Sequence, residues 1–313
     1  MLGLDRSDLV AGATQVESET ESEEGRRKLQ AMAVNWVEAG KVGPVKNQGS
    51  CGSCWSFSAT TAQEAMQAIK DDAAPIRLSE QEGVDCTTNT QDNFDLFGKV
   101  YGTYGCRGGW MARYWNFARD NGAMAEADYP YVDGSWRSTD SAQACAHDDA
   151  KVASTAGESG QITTSVGDAV TKMQEGPLTF AVAAGNDCWR YYKSGILTSA
   201  NGCPTSLDHA VVAVGVDSEE ITTTTEGTSS TTCRKATRNE RRAKTCQSGD
   251  YRRKKCCETE TTEGSTTTRV VNYWLIQNSW STGWGENGFI KLAVEGGYGV
   301  SGSNQVMEWI TVQ

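Results

Sequence analysis

The 313-residue sequence predicts an α+β fold, with its helices in the first half and its strands in the second. Three observations carry this reading. Apolar residues recur at helical spacing in segments before residue 122, short β-rich runs follow Gly157, and no internal repeat overrides either pattern.

Cys54–Lys70 reads as the first helix, because Trp55, Phe57, Ser58, Ala62, Ala65, Met66 and Ile69 recur at helical spacing and Ser53 suits the N-cap. A second helix opens at Ser79 with a capping-box pattern to Glu82. Trp110–Asn121 reads as a third, closed by Gly122. Beyond Gly157 the runs 177–183, 210–216, 270–276 and 288–293 read as strands.

Composition narrows the class of function. Eleven cysteines fit an exported or vesicular protein, and their odd number leaves one thiol free if the other ten pair. A net charge of −11 argues against a general affinity for nucleic acid. No apolar run approaches the roughly 20 residues of a membrane span. The first residues carry charges where a signal peptide needs an apolar core, whereas the cysteines imply export. Residues 1–30, with the acidic run Glu17–Glu24 before Arg26, Arg27 and Lys28, are too polar to fold and read as a linker. A processing site at the basic triplet is the sharper alternative.

Three motifs carry chemistry: Gln48-Gly-Ser-Cys-Gly-Ser-Cys-Trp55, Leu207-Asp-His-Ala-Val211 and Gln277-Asn-Ser-Trp-Ser-Thr-Gly-Trp-Gly-Glu-Asn-Gly288. A thiol nucleophile needs a stabilised thiolate, which a helix N-terminus and a neighbouring imidazolium provide. Cys54 opens the first expected helix. Of the two histidines, His209 opens an apolar strand, while His147 sits in a polar loop and reads as a solvated residue.

With these motifs in this order, the chain from about Ala31 onwards resembles the papain-like cysteine peptidases. The resemblance implies two lobes with a cleft between them, one helical (about residues 40–157) and one β-barrel-like (about 158–306). It implies Cys54 as nucleophile, His209 as base, Asn278 as orienter of the imidazole and Gln48 as an oxyanion donor. Trp280 would shield the His209–Asn278 bond, with Asp208 beside the base. Gly108 and Gly109 would line the path of the substrate backbone. Trp110, Met111, Ala181 and Val306 would line an apolar pocket for the side chain two residues before the scissile bond, and Tyr104 would border the next subsite outward. The resemblance also pairs Cys51 with Cys106 and Cys86 with Cys145. Where the family has a further C-terminal cysteine this chain has Ser301, so Cys188 is the expected partner of Cys203.

The family usually has a prosegment, and residues 1–30 look like its tail. Expected partners are polypeptide substrates, the chain's own prosegment and inhibitors of the cystatin type, in a lysosomal, vacuolar or secreted setting. No cofactor and no metal are expected. Exopeptidase members carry an inserted histidine pair, and both histidines here are otherwise accounted for, so endopeptidase is favoured. A catalytically inactive binding protein of this fold is the alternative, against which the intact Gln48, Cys54, His209 and Asn278 weigh.

One segment departs from the family: an insertion at 217–271. Thr-rich flanks enclose Cys233–Cys257, which holds ten Lys or Arg against Glu240 and Asp250, a net +8. Lacking a hydrophobic strand pattern, it reads as an appended loop or mini-module. Cys233, Cys246, Cys256 and Cys257 could form two disulfides, and their spacing does not suit structural zinc. The insertion reads either as a stapled, O-glycosylated loop or as a polyanion-binding surface.

Overall fold

The computed structural model describes residues 31–87, 101–132, 143–225, 228–235, 237–238 and 255–313. The expected linker 1–30, and Cys246 with most of the basic core of the insertion, lie outside the described residues. In chain order, β1 (Val34–Asn35) precedes α1 (Cys54–Lys70), α2 (Glu80–Cys86) and α3 (Met111–Asp120). Next come β2 (Ala123–Met124), β3 (Val152–Ser154), β4 (Ala156–Ile162), α4 (Val166–Met173), β5 (Leu178–Val182), α5 (Asp187–Arg190) and β6 (Ile196–Leu197). The chain closes with β7 (His209–Thr225), β8 (Thr228–Lys235), β9 (Lys255–Thr262), β10 (Ser265–Gln277), β11 (Phe289–Ala293) and β12 (Met307–Val312). It divides into two compact units, Met1–Glu219 with Val271–Gln313, and Glu220–Val270.

Local chemistry sets the helix starts in different ways. Ser79 caps α2 by accepting the Glu82 N–H at 2.9 Å. The reciprocal half of the expected capping box does not form, because the Glu82 carboxylate instead accepts the Met124 N–H and meets His147. Ser53 makes no side-chain cap on α1; its hydroxyl pairs with that of Tyr131 at 2.9 Å. The first turn of α1 is thereby left to other partners.

The main sheet runs β4-β12-β5-β7-β10-β11-β6, with β1 added to β7. This corrects the expectation of a β-barrel-like lobe: β4 and β6 end the sheet on opposite sides and do not pair, so no barrel closes. The physical reason lies in the strands. A barrel turns one face of every strand to a shared interior, whereas β7 buries both faces in different layers. Ala210, Val212 and Val214 pack in the core that holds Trp55, Tyr114 and Trp115 from α1 and α3. Val211 and Ala213 pack in the other core, with Val170 and Met173 of α4 and with Trp189 and Trp274. At two residues, β6 is also too short to carry a second ladder. The helical lobe thus lies on one face of an open sheet, and α3 packs against the terminal strand β4, covering an edge that would otherwise be open to pairing.

Three disulfides link Cys51 to Cys106, Cys86 to Cys145 and Cys188 to Cys203. At the position where a cysteine was lacking, Ser301 accepts a hydrogen bond from Trp189 Nε1 at 2.9 Å. A polar contact therefore joins the segments there.

The second unit carries strands that its composition did not announce. β8 and β9 form an antiparallel pair in the register Thr228↔Thr262 through Cys233↔Cys257 to Lys235↔Lys255. Thr222 meets Thr268 at 3.2 Å, and Thr225 meets Ser265 at 2.8 Å. β-Branched threonine favours the extended chain, and cross-strand hydroxyl pairs hold it. A strand pattern built on threonine carries no apolar alternation for a sequence reading to find.

Candidate active site

Cys54 is the first residue of α1 and is fully buried. Its sulfur accepts backbone hydrogen bonds from Ala210 and Trp55. The Ala210 bond ties the nucleophile's helix to β7 and places the sulfur beside the residue that follows His209. Burial pushes the Cys54 thiol up to about 12; the two backbone bonds oppose that rise and the nearby Asp208 charge adds to it. Without a cationic partner this thiol stays protonated, so its reactivity depends on the imidazole.

His209, also fully buried, opens β7. Its Nε2 lies 2.8 Å from Asn278 Oδ1, which also accepts the Ser279 N–H at 2.8 Å. The Ser279 bond orients the amide so that oxygen faces the imidazole, which favours the tautomer with the proton on Nε2. The ring centroid of Trp280 is 5.0 Å from that of His209, and Trp189 and Trp284 extend the wall, stacked at 5.8 Å. Trp189 itself approaches His209 edge-on at 6.3 Å. His209 is thus flanked by two tryptophan rings, with a third packed against them. Asp208 accepts the Ala184 and Gly185 N–H groups at 2.8 and 3.1 Å, fixing the loop that follows β5.

Gln48 is 2% exposed and held from several sides. Its Nε2 donates to Cys51 O at 2.9 Å, and its Oε1 accepts from the Ser279 hydroxyl at 2.6 Å. Tyr131 hydrogen-bonds both Gln48 O and Ser53 Oγ at 2.9 Å, bracing the turn before Cys54. Ser279 and Tyr131 escaped the sequence reading. For Ser279 the signal was present, since it follows Asn278; Tyr131 is brought in from 83 residues away.

Of the expected substrate-path residues, Gly108 adopts φ +129°, and a Cβ on Gly109 would lie 2.5 Å from the Trp55 ring. Glycine is needed at both, for backbone conformation at one and for close approach at the other. Trp110, Met111, Ala181 and Val306 come together with Cys54 in one buried cluster. Ala181 N–H donates to Val306 O at 3.1 Å, which brackets the two strands. Trp110 Nε1 donates to Glu308 Oε1 at 2.5 Å, a buried carboxylate that the sequence reading did not single out. Tyr104 is exposed. Beyond Trp110, a cavity of about 610 Å³ opens among Tyr101, Trp115, Gly160 and Glu308.

His147 is not the solvated residue its polar surroundings suggested. Its Nδ1 lies 2.5 Å from Glu82 Oε1 and its Nε2 3.1 Å from Asp149 Oδ1. The bond to Glu82 raises its pKa above the ordinary 6.5, against the opposing effect of burial. Among the described residues no cluster of three or more His, Cys, Asp or Glu is placed to hold a metal, and no helix is long and apolar enough to cross a membrane.

Comparison with known proteins places this geometry. The family described as papain family cysteine protease matches residues 30–307. Digestive cysteine proteinase 2 of Homarus americanus is 31% identical over 271 residues, covering 84% of this chain and 62% of its own. Cathepsin L2 of Homo sapiens is 30% identical over 266 residues, covering 83% of this chain and 60% of its own. Thus the chain spans about three fifths of the length of these relatives. Among solved structures, the bromelain protease of Ananas comosus in complex with the E64 inhibitor matches with a TM-score of 0.61 at 26% identity, over 90% of this chain and 99% of its own. Digestive procathepsin L 3 of Tenebrio molitor matches with a TM-score of 0.64 at 23% identity, over 99% of this chain and 76% of its own, a likeness of fold. Motif order, the thiol placed beside β7 and the family match over most of the chain agree: this protein belongs to the papain family of cysteine proteases.

Proposed function

We propose that the chain is a cysteine endopeptidase in which Cys54 is the nucleophile and His209 the general acid and base. The observation that carries this is the backbone bond from Ala210 to the Cys54 sulfur together with the 2.8 Å His209–Asn278 bond. They support the reading by tying the thiol to β7, which His209 opens, and by fixing the imidazole against the Asn278 amide.

The reaction starts with transfer of the Cys54 proton to His209, since burial otherwise holds the thiol neutral. The resulting imidazolium and the N-terminus of α1 stabilise the thiolate. The sulfur then attacks the peptide carbonyl carbon, forming a C–S bond as the carbonyl becomes an oxyanion. The Gln48 side-chain amide and the Cys54 N–H receive that charge, each such donor contributing about 3–4 kcal/mol. His209 donates its proton to the leaving amine as the C–N bond breaks. A water then gives a proton to His209 and attacks the thioester, releasing the acid and restoring the thiol.

An apolar side chain is preferred two residues before the scissile bond, because Trp110, Met111, Ala181 and Val306 offer a guanidinium no compensation for lost water. Endopeptidase action is favoured because His147 is engaged by Glu82 and Asp149, leaving no histidine to close one end of the cleft. The partners are polypeptide substrates, with the chain's own prosegment and cystatin-type inhibitors competing for the same cleft. Three disulfides favour an oxidising setting, lysosomal, vacuolar or secreted. The chain then comprises a prosegment remnant or linker at 1–30 and a peptidase domain over 31–313, within which the insertion at 217–271 is either a stapled surface loop or a contact for polyanions.

The test is peptide-library cleavage by equal amounts of folded wild type and Cys54→Ala, with the wild-type sites titrated by E64. Turnover led by Leu or Phe two residues before the cut, abolished by Cys54→Ala, supports the reading. Turnover that survives Cys54→Ala refutes it.

A further inference from the structure

A small, partly enclosed space that the catalytic reading leaves unused lies beside Gln277 and Asn278. It measures about 10 Å³, and its other walls are Phe57, Val212, the hydroxyl-bearing Ser58, Thr61 and Ser279, and Lys46, whose ammonium is engaged by Glu64 and Glu80. Gln277 ends β10 and Asn278 is the first residue beyond it, so the alternation that would separate their side chains stops there.

Both amides have one end fixed and one end left over. Gln277 Nε2 donates to Gly43 O at 3.0 Å, which leaves its Oε1 buried with no partner among the described residues. Asn278 Oδ1 accepts the Ser279 N–H and faces His209, which leaves its Nδ2 buried with no partner among the described residues. The two residues are 5% and 3% exposed, so bulk water cannot serve either atom. One acceptor and one donor thus belong to residues lining one cavity. Its volume is about that of a single water, and a buried water usually joins two to four polar groups.

We infer that one buried water bridges Gln277 Oε1 and Asn278 Nδ2, making Gln277 a positioning residue for the His209 imidazole. The water accepts from Asn278 Nδ2–H and donates one hydrogen to Gln277 Oε1, and its second hydrogen meets the hydroxyl-bearing wall of Ser58 and Thr61. The bridge pins the end of the Asn278 amide that His209 does not touch, so the amide cannot swing and the proton stays on Nε2. This inference rests on the reading of Asn278 as the orienter of the base, but the hydration site itself can be observed without turnover.

Two measurements test it. A crystal structure of Cys54→Ala at about 1.2 Å resolution or better should show a full-occupancy water within hydrogen-bond distance of both atoms; an empty cavity overturns the proposal whether or not the chain is a peptidase. Gln277→Leu, which keeps the bulk and removes the acceptor, should lower kcat up to about tenfold with KM unchanged, and should move the acid limb of the pH–rate profile. Rates are taken per E64-titrated site, so molecules lost to misfolding do not enter kcat. A folded Gln277→Leu with wild-type kcat and pH profile overturns the positioning role even where the water is seen.

Discussion

Replacing Lys46 by Met should destabilise the protein strongly at neutral pH and weakly in acid. Lys46 Nζ lies 2.6 Å from Glu64 Oε1 and 2.5 Å from Glu80 Oε1, with all three side chains at most 4% exposed. Thr60 Oγ1 bonds Glu80, and the Leu78 N–H bonds Glu64, yet a single cation faces two carboxylates. Burial therefore pushes the Glu64 carboxyl up to about 7, although the Lys46 charge pulls it down. Between its ordinary 4.5 and about 7 the folded chain holds a proton that the unfolded chain has released, so stability already falls as pH rises through that window. Without Lys46, the Glu64 carboxyl loses the charge that pulls its pKa down, and burial holds it neutral more strongly. Each unit of pKa shift is worth about 1.4 kcal/mol, so holding that carboxyl neutral at pH 7 costs on the order of 3 kcal/mol. Removal of one partner of a buried pair costs about 3–5 kcal/mol, the range expected here at pH 7. Near pH 4.5 the proton costs little and the loss should shrink to about 1 kcal/mol. Urea unfolding in a Cys54→Ala background, which prevents self-digestion, measures both. Equal losses at the two pH values would refute the argument.

Two further substitutions probe other parts of the same reasoning. Because Glu82 raises the folded pKa of His147 above 6.5, its contribution is full below that value and disappears as pH rises through the raised one; His147→Gln should lower Tm more at pH 5 than at pH 9, and a pH-independent drop would contradict this. Gly109→Ala would press a methyl against the Trp55 ring at 2.5 Å and should cost about 1–3 kcal/mol by calorimetry, an unchanged Tm counting against the steric account.

The groups proposed to react stood out in the sequence because thiol chemistry accepts few residue types, and with two histidines present the choice of a base was narrow. The start of α1 was legible for the same reason that it matters, since the nucleophile needs a helix N-terminus. What escaped depends on distance along the chain or on patterns that local periodicity does not distinguish. His147 finds Glu82 across 65 residues, and nothing near either announces the other. The run Ala210–Val214 is apolar at every position, which marks burial on both faces but does not say that two different layers supply it. The barrel-like lobe that the resemblance implied is therefore not something this apolar run could have checked, and the sheet stays open. Ser301 could be read only as a missing cysteine; its hydrogen bond from Trp189 appears once the fold brings positions 112 residues apart together.

On the proposed mechanism, the bond from Ala210 to the Cys54 sulfur has a consequence for when this chain could be dangerous. Nucleophile and base are carried by different layers, one opening a helix and the other opening a strand. Neither layer alone holds a competent pair, and an effective local concentration arises only after the helices have settled on the sheet. A chain still being made, or one whose layers have parted, therefore has a thiol without a base and cannot attack its neighbours. Hydrolytic power is in this sense the last property the fold acquires and the first it surrenders, which ties destructive chemistry to the integrity of the molecule that wields it.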